Sequence, residues 1–196
     1  MIRVCADATA RRMLGGAALG RLRRRMRAAL AAADAAETEV SILLCGDARI
    51  RALNRDYAEE DHATDVLSFS QREGLDSPAA VLLGDIVVSV EAARRQAADR
   101  RGPAAAALEA EILQLAVHGL AHLLGFDHDI PARRRAMQAH EAALMRTALG
   151  ASSGSSERGT LEGFPCPPAM EPVGHSPPGS HATRAAARRR RRRAPR

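Results

Sequence analysis

The sequence predicts an α+β domain, a single mixed β-sheet covered by helices, and three observations carry that prediction. Helical and strand-like segments mix along residues 1–149 without strict alternation. The chain has 196 residues and is 46% hydrophobic, enough to bury one good core and not two large ones. Three histidines stand at metal-site spacing at the end of a long apolar helix.

Taken in order, Leu14, Ala18, Leu22, Met26 and Leu30 recur every four residues with arginines between them, the pattern of one long amphipathic helix. Residues 38–45 read as a buried strand, Asp47–Tyr57 as a short helix opening at an Asp cap, and Asp65–Ser70 as a second strand. A polar loop over 71–80 leads into Val81–Val90, the most strand-like segment of the chain. A helix over 91–101 follows, then a Gly102-Pro103 break. A second long helix runs from Ala104 to Leu124 and stops at Gly125; the last, from Pro131 to Leu149, carries proline in its first turn.

Composition narrows the function classes. Aromatics are 2% with no Trp and one Tyr, which argues against an RNA binder built on aromatic stacking platforms. The net charge of +6 belongs to the tail: residues 1–150 hold 20 Arg against 20 Asp plus Glu, whereas residues 151–196 hold 9 Arg against 3 Glu. The chain has no lysine, and its Ala and Arg excess reads as the codon bias of a GC-rich genome. Domain organisation follows: residues 1–149 read as one folded domain, and 150–196 as a disordered Ser/Gly/Pro/Arg-rich basic tail. The six arginines Arg188 to Arg193 either add electrostatic affinity for RNA or are neutral. Cys5, Cys45 and Cys166 are odd in number and form no CxxC pair, which points to a reducing cytosol and away from a thiolate zinc site. The short apolar stretch from Met13 to Leu19 does not read as an export signal, and no run of about 18 apolar residues predicts a membrane span.

The chemistry sits in Val117 to His128, VHGLAHLLGFDH. His118 and His122, four apart on a helix, share a face. Gly125 lets the chain turn so that His128 swings back toward the same point, and three neutral imidazoles with an open fourth position are a catalytic zinc arrangement. The expected cofactor is one Zn2+ per chain, with nickel or another divalent ion as the alternative. The spacing HxxxHxxGxxH is metzincin-like, but Gly119 stands where those proteases keep the glutamate that deprotonates the zinc water. Peptidase chemistry would then need a carboxylate from elsewhere, such as Asp85 or Glu111; phosphodiester hydrolysis stays open, because zinc acidifies a water and polarises a phosphoryl oxygen unaided.

Three ordered blocks together resemble the YbeY family of bacterial single-strand-directed, metal-dependent endoribonucleases. They are Leu53-Asn54 followed by Thr64 to Phe69 (TDVLSF), Leu83 to Ile86 (LGDI), and the histidine motif, with Ala121 for the usual Leu and Phe126 for the usual Tyr. The resemblance covers residues 1–149. It implies a cytoplasmic enzyme that binds zinc through His118, His122 and His128, acts on single-stranded RNA in small-subunit ribosomal RNA maturation and ribosome quality control, and meets the ribosome, a ribosomal protein or a GTPase, with no membrane partner.

It also implies an arginine where Ala58 stands; Arg55 or Arg51 on the same helix is the candidate substitute. Arg55 and Asp85 are the candidate catalytic residues, and Asp65, Ser68 and Asp127 the candidates for the groove or for orienting an imidazole. Each has a plain alternative: Asp65 as turn chemistry, Asp85 as a carboxylate paired with an arginine, Asp127 as a solvated loop residue. No general base is identifiable. The change at Ala58 keeps a second function open, a non-catalytic, metal-stabilised ribosome assembly factor that binds RNA or a ribosomal protein.

Overall fold

The structure, a computed structural model, describes residues 1–71 and 82–151. Most of the expected polar loop, and the tail beyond residue 151, lie outside the described residues. The chain runs β1 (Ile2–Ala6), α1 (Ala8–Met13), α2 (Gly16–Ala32), β2 (Glu39–Cys45), α3 (Asp47–Ala58), β3 (Val66–Ser70), β4 (Leu82–Ser89), α4 (Val90–Ala97), α5 (Ala104–Leu123) and α6 (Pro131–Gly150). Four strands form one sheet in the order β1-β2-β4-β3, with β1-β2 and β2-β4 parallel and β3-β4 antiparallel. The fold is thus α+β with a mixed sheet.

Side-chain alternation divides the sheet into two faces. Val40, Ile42, Leu44, Val66, Ile86 and Val88 point into the main core, which α2 and α5 cover. Cys45, Leu67 and Val87 point the other way and are covered by Ile50 and Leu53 of α3. α6 packs outside, against α2 and α5. α5 has the length of a membrane span, but Glu109, Glu111 and the two histidines interrupt its apolar run. Its apolar side chains, Ile112, Leu113, Ala116 and Leu120 among them, are buried in the main core, so its composition is that of a core helix.

Several boundaries differ from the sequence reading. Ile2–Ala6 is a strand and Ala8–Met13 a separate helix, neither of which the pattern announces. β1 is a five-residue edge strand whose order comes from pairing Ile2 to Ala6 with Val40 to Leu44, an arrangement that local periodicity does not encode. α2 begins at Gly16 with Gly15 as its N-cap, so Leu14 belongs to the extended link and not to the long helix. Asp47 is the first residue of α3 and not its cap; Gly46 holds that position. Asp47 instead accepts from Ser89 Oγ at 2.5 Å and from Arg95 at 2.6 Å, tying α3 to α4. α4 ends at Ala97, four residues short of the expected end.

One glycine is demanded by the backbone. At Gly84 the pairing of β2 with β4 slips, Glu39 facing Leu82 and Val40 facing Gly84, and φ is +148°. The bulge lets Leu83 and Ile86, an odd and an even position, both reach the main core. A Cβ there would lie 2.3 Å from the Phe69 carbonyl oxygen and 2.8 Å from Leu123 Cδ2. Gly84→Ala is therefore expected to lower the urea unfolding free energy by at least about 1–3 kcal/mol, the scale of a strained backbone position; an unchanged midpoint would contradict the bulge.

Candidate metal centre

α5 supplies two of the three histidines, and its C-terminus supplies the turn that brings the third. Leu124 caps the helix, Gly125 takes φ +89°, and the Gly125 and Phe126 amides donate to the His122 and Ala121 carbonyls at 2.9 and 3.0 Å. This pair of bonds is the Schellman closure, which only a residue tolerant of the left-handed region allows without strain. The chain reverses, and the Asp127 carboxylate accepts from the His128 amide at 2.7 Å, setting the direction of the loop. Ligand nitrogens of His118, His122 and His128 then all lie within 4.8 Å of one another.

The rings are half-buried and mutually oriented. His122 stands edge-on to His118 and to His128, with centroids 4.8 and 5.3 Å apart, and its Nε2 is 3.2 Å from His118 Nε2. Burial, then the neighbouring imidazoles of His118 and His128, push the His122 pKa down to about 4, so at neutral pH this ring is an uncharged nitrogen donor. Three half-buried imidazoles with their nitrogens converging form a donor set that suits a divalent ion such as zinc, and the groups fit the metal that the sequence pattern implies.

Beside the histidines α5 lies directly on the sheet. A Cβ at Gly119 would meet Ile86 Cγ2 at 2.8 Å and Ser68 Oγ at 2.9 Å, and Ser68 Oγ donates to the Gly119 carbonyl at 3.2 Å. No glutamate fits at 119; the position faces the sheet at contact distance. Ser68 thus lies beneath the ligand helix as a packing and hydrogen-bonding partner.

The other predicted site residues are placed elsewhere. Asp85 is opposite Ser41 and Phe69 in register, on the face covered by α3, and accepts from Gln71 Nε2 at 2.6 Å. Among the described residues it is paired with neither an arginine nor a histidine. Asp65 accepts from the Val66 amide at 2.9 Å and from Gln96 Nε2 at 2.8 Å, linking the start of β3 to α4. Arg55 lies near the end of α3, more than half exposed, with its Nε on Asp56 at 3.1 Å; Arg51 is paired with Asp61. Glu111 is held by Arg100 Nε at 2.6 Å, two helical turns before His118, too far along α5 to serve as a base at the histidines.

Two contacts escaped the sequence reading. His118 Nδ1 lies 2.5 Å from Glu141 Oε1 on α6. The signal was present: Met137, Leu144 and Ala148 form the buried stripe of α6, and Glu141 falls in that stripe at helical spacing, a carboxylate on an otherwise apolar face. His140 stacks on Phe126 with centroids 4.2 Å apart.

The family model for Endoribonuclease YbeY matches residues 17–148. The chain belongs to the YbeY family. It is 49% identical over 132 residues to Endoribonuclease YbeY of Anaeromyxobacter sp. (strain Fw109-5), covering 67% of this chain and 66% of that one. It is 45% identical over 150 residues to Endoribonuclease YbeY of Anaeromyxobacter dehalogenans (strain 2CP-C), covering 76% and 74%. The chain therefore spans about two thirds to three quarters of the length of these YbeY relatives. The solution structure of TM1509 from Thermotoga maritima aligns with 82% of this chain and 99% of its own, at a TM-score of 0.49 and 21% identity.

Burial raises the Asp85 carboxyl above its ordinary range, partly offset by hydrogen bonds from Gln71 and Ser41. The folded protein therefore holds this proton more tightly than the unfolded chain. The stability it contributes is complete below the unfolded carboxylate value, about 3.9, and is lost as pH rises through the folded one. Asp85→Asn, which does not ionise, is expected to gain melting temperature relative to the parent chain between about pH 4 and pH 7; a difference that stays flat over that range contradicts the burial of the charge.

Proposed function

We propose that this YbeY-family chain is a zinc-dependent endoribonuclease that cleaves single-stranded RNA in small-subunit ribosomal RNA maturation and ribosome quality control. The observation that carries the reading is the convergence of His118, His122 and His128 on one point beside a helix-sheet contact that leaves no room for the protease glutamate. The three imidazoles hold the ion. When bound, zinc supplies Lewis acidity toward a water and toward a phosphoryl oxygen.

The protein's own groups bind and orient the substrate. Arg134, whose guanidinium donates to the His128 carbonyl at 3.4 Å, puts positive charge beside the histidines, where it offsets phosphate. Arg55 is a second phosphate-binding group on this reading: its exposed pairing with Asp56 is of the class worth about 0–1 kcal/mol and gives way to a stronger anion. Asp85 and Asp65 act as supports, holding Gln71 and Gln96. Asp127 supports the loop that carries His128. Cys45, a buried thiol, suits the cytoplasm as the compartment.

A second reading is favoured by Ala58: a metal-stabilised assembly factor that holds RNA or a ribosomal protein without cutting it. The two separate on one experiment, in which the full chain and His122→Ala, each supplied with zinc, meet single-stranded precursor ribosomal RNA. Fragments from the parent alone are expected. Equal cleavage by both defeats the hydrolase, and tight RNA binding with no cleavage under any metal establishes the assembly factor. Arg134→Ala is expected to weaken binding across RNA sequences and to flatten the slope of log affinity against log salt by about 0.7 for each phosphate that Arg134 neutralises; an unchanged slope removes Arg134 from the interface.

A further inference from the structure

Glu141 touches the metal site without being placed to ligate. Its carboxylate lies on His118 Nδ1 at 2.5 Å, the ring nitrogen remote from the one that faces His122. Both side chains are about one-quarter exposed, 22% for His118 and 25% for Glu141. An imidazole is a ligand through a bare nitrogen, and which nitrogen is bare depends on the hydrogen bond the other makes. A carboxylate on Nδ1 keeps a proton there and leaves the lone pair on Nε2, the atom that converges with His122 and His128.

The preceding residue touches the other half of the ligand set. The His140 ring lies nearly parallel to Phe126, 19° apart, and Phe126 sits in the loop between His122 and His128. Two consecutive residues of α6 therefore hold the helix ligand and the ligand loop. Among the described residues His140 Nε2 is buried without a hydrogen-bond partner, so stacking is the interaction that explains its position.

We infer that Glu141 is a positioning residue of the metal centre, fixing His118 with its proton on Nδ1 and Nε2 toward the ion, and so setting metal affinity. The inference rests on the metal-binding reading above. Its test uses the full chain and the variants Glu141→Ala, Glu141→Gln and His122→Ala, with the zinc dissociation constant read by chelator competition and His118 followed by imidazole 15N NMR in the zinc-loaded protein. Glu141→Ala is expected to raise the dissociation constant about 10- to 100-fold and to shift the His118 Nδ1 signal. Glu141→Gln, which keeps an acceptor oxygen and nearly the same shape, is expected to recover most of the affinity and remains informative where the alanine variant unfolds.

Unchanged zinc affinity and an unchanged His118 spectrum in both Glu141 variants, with binding abolished in His122→Ala, overturns the role of Glu141 while leaving the metal site intact. Zinc binding that survives in His122→Ala overturns the metal reading itself. A drop in metal-free thermal stability with no change in affinity marks Glu141 as a structural ion-pair partner, and also overturns the inference.

Discussion

At Gly119 the long helix lies so close to the sheet that a methyl group would stand 2.8 Å from Ile86 and 2.9 Å from Ser68, and the site is arranged around that contact. Close approach fixes the rotation of α5 about its axis. With position 119 against the sheet, His118 and His122 are turned aside into a half-buried position instead of into the core. The same contact explains why a pattern so near that of a zinc protease lacks its glutamate. Packing density in a protein interior leaves no space for a glutamate side chain at this point without moving the strands.

Much of this was legible in the sequence because it is local. The His118 and His122 spacing, the Gly125 turn and the return of His128 are all encoded in one short segment, and the helix-closing hydrogen bonds follow from them. β2, β4 and α5 were equally legible, since each is a sustained, largely apolar segment of strand or helix length. β1 and α1 were not: one depends on pairing with a strand distant in the chain, and the other is a six-residue helix capped by Asp7. Asp85 shows the limit most clearly. Its place among apolar neighbours marked it as unusual, but which face of the sheet it occupies depends on the Gly84 bulge and the register with Ser41. Glu141 was visible as a break in an apolar stripe, but its partner was not, because that depends on how α6 lies across α5.

The electrostatics of the centre are economical. His122 is held neutral by burial and by two neighbouring imidazoles, so no proton has to be displaced from it at neutral pH. The carboxylates beside the rings are engaged, Asp127 on a backbone amide and Glu141 on Nδ1 of His118, and Glu111 lies two turns away on Arg100. On the proposed reading the three imidazoles would hold an ion that supplies Lewis acidity toward a phosphodiester, and the helix that carries them lacks the carboxylate that a zinc peptidase has there.

The proposed function depends on one divalent ion held by three imidazoles, with its remaining position open. Zinc-edge X-ray absorption of the zinc-loaded chain tests this most directly. Three imidazole nitrogens at about 2.0–2.1 Å and one light oxygen scatterer, at one ion per chain, are the predicted result. A sulfur shell, or fewer than two imidazoles on the ion, would place the metal elsewhere and contradict the account.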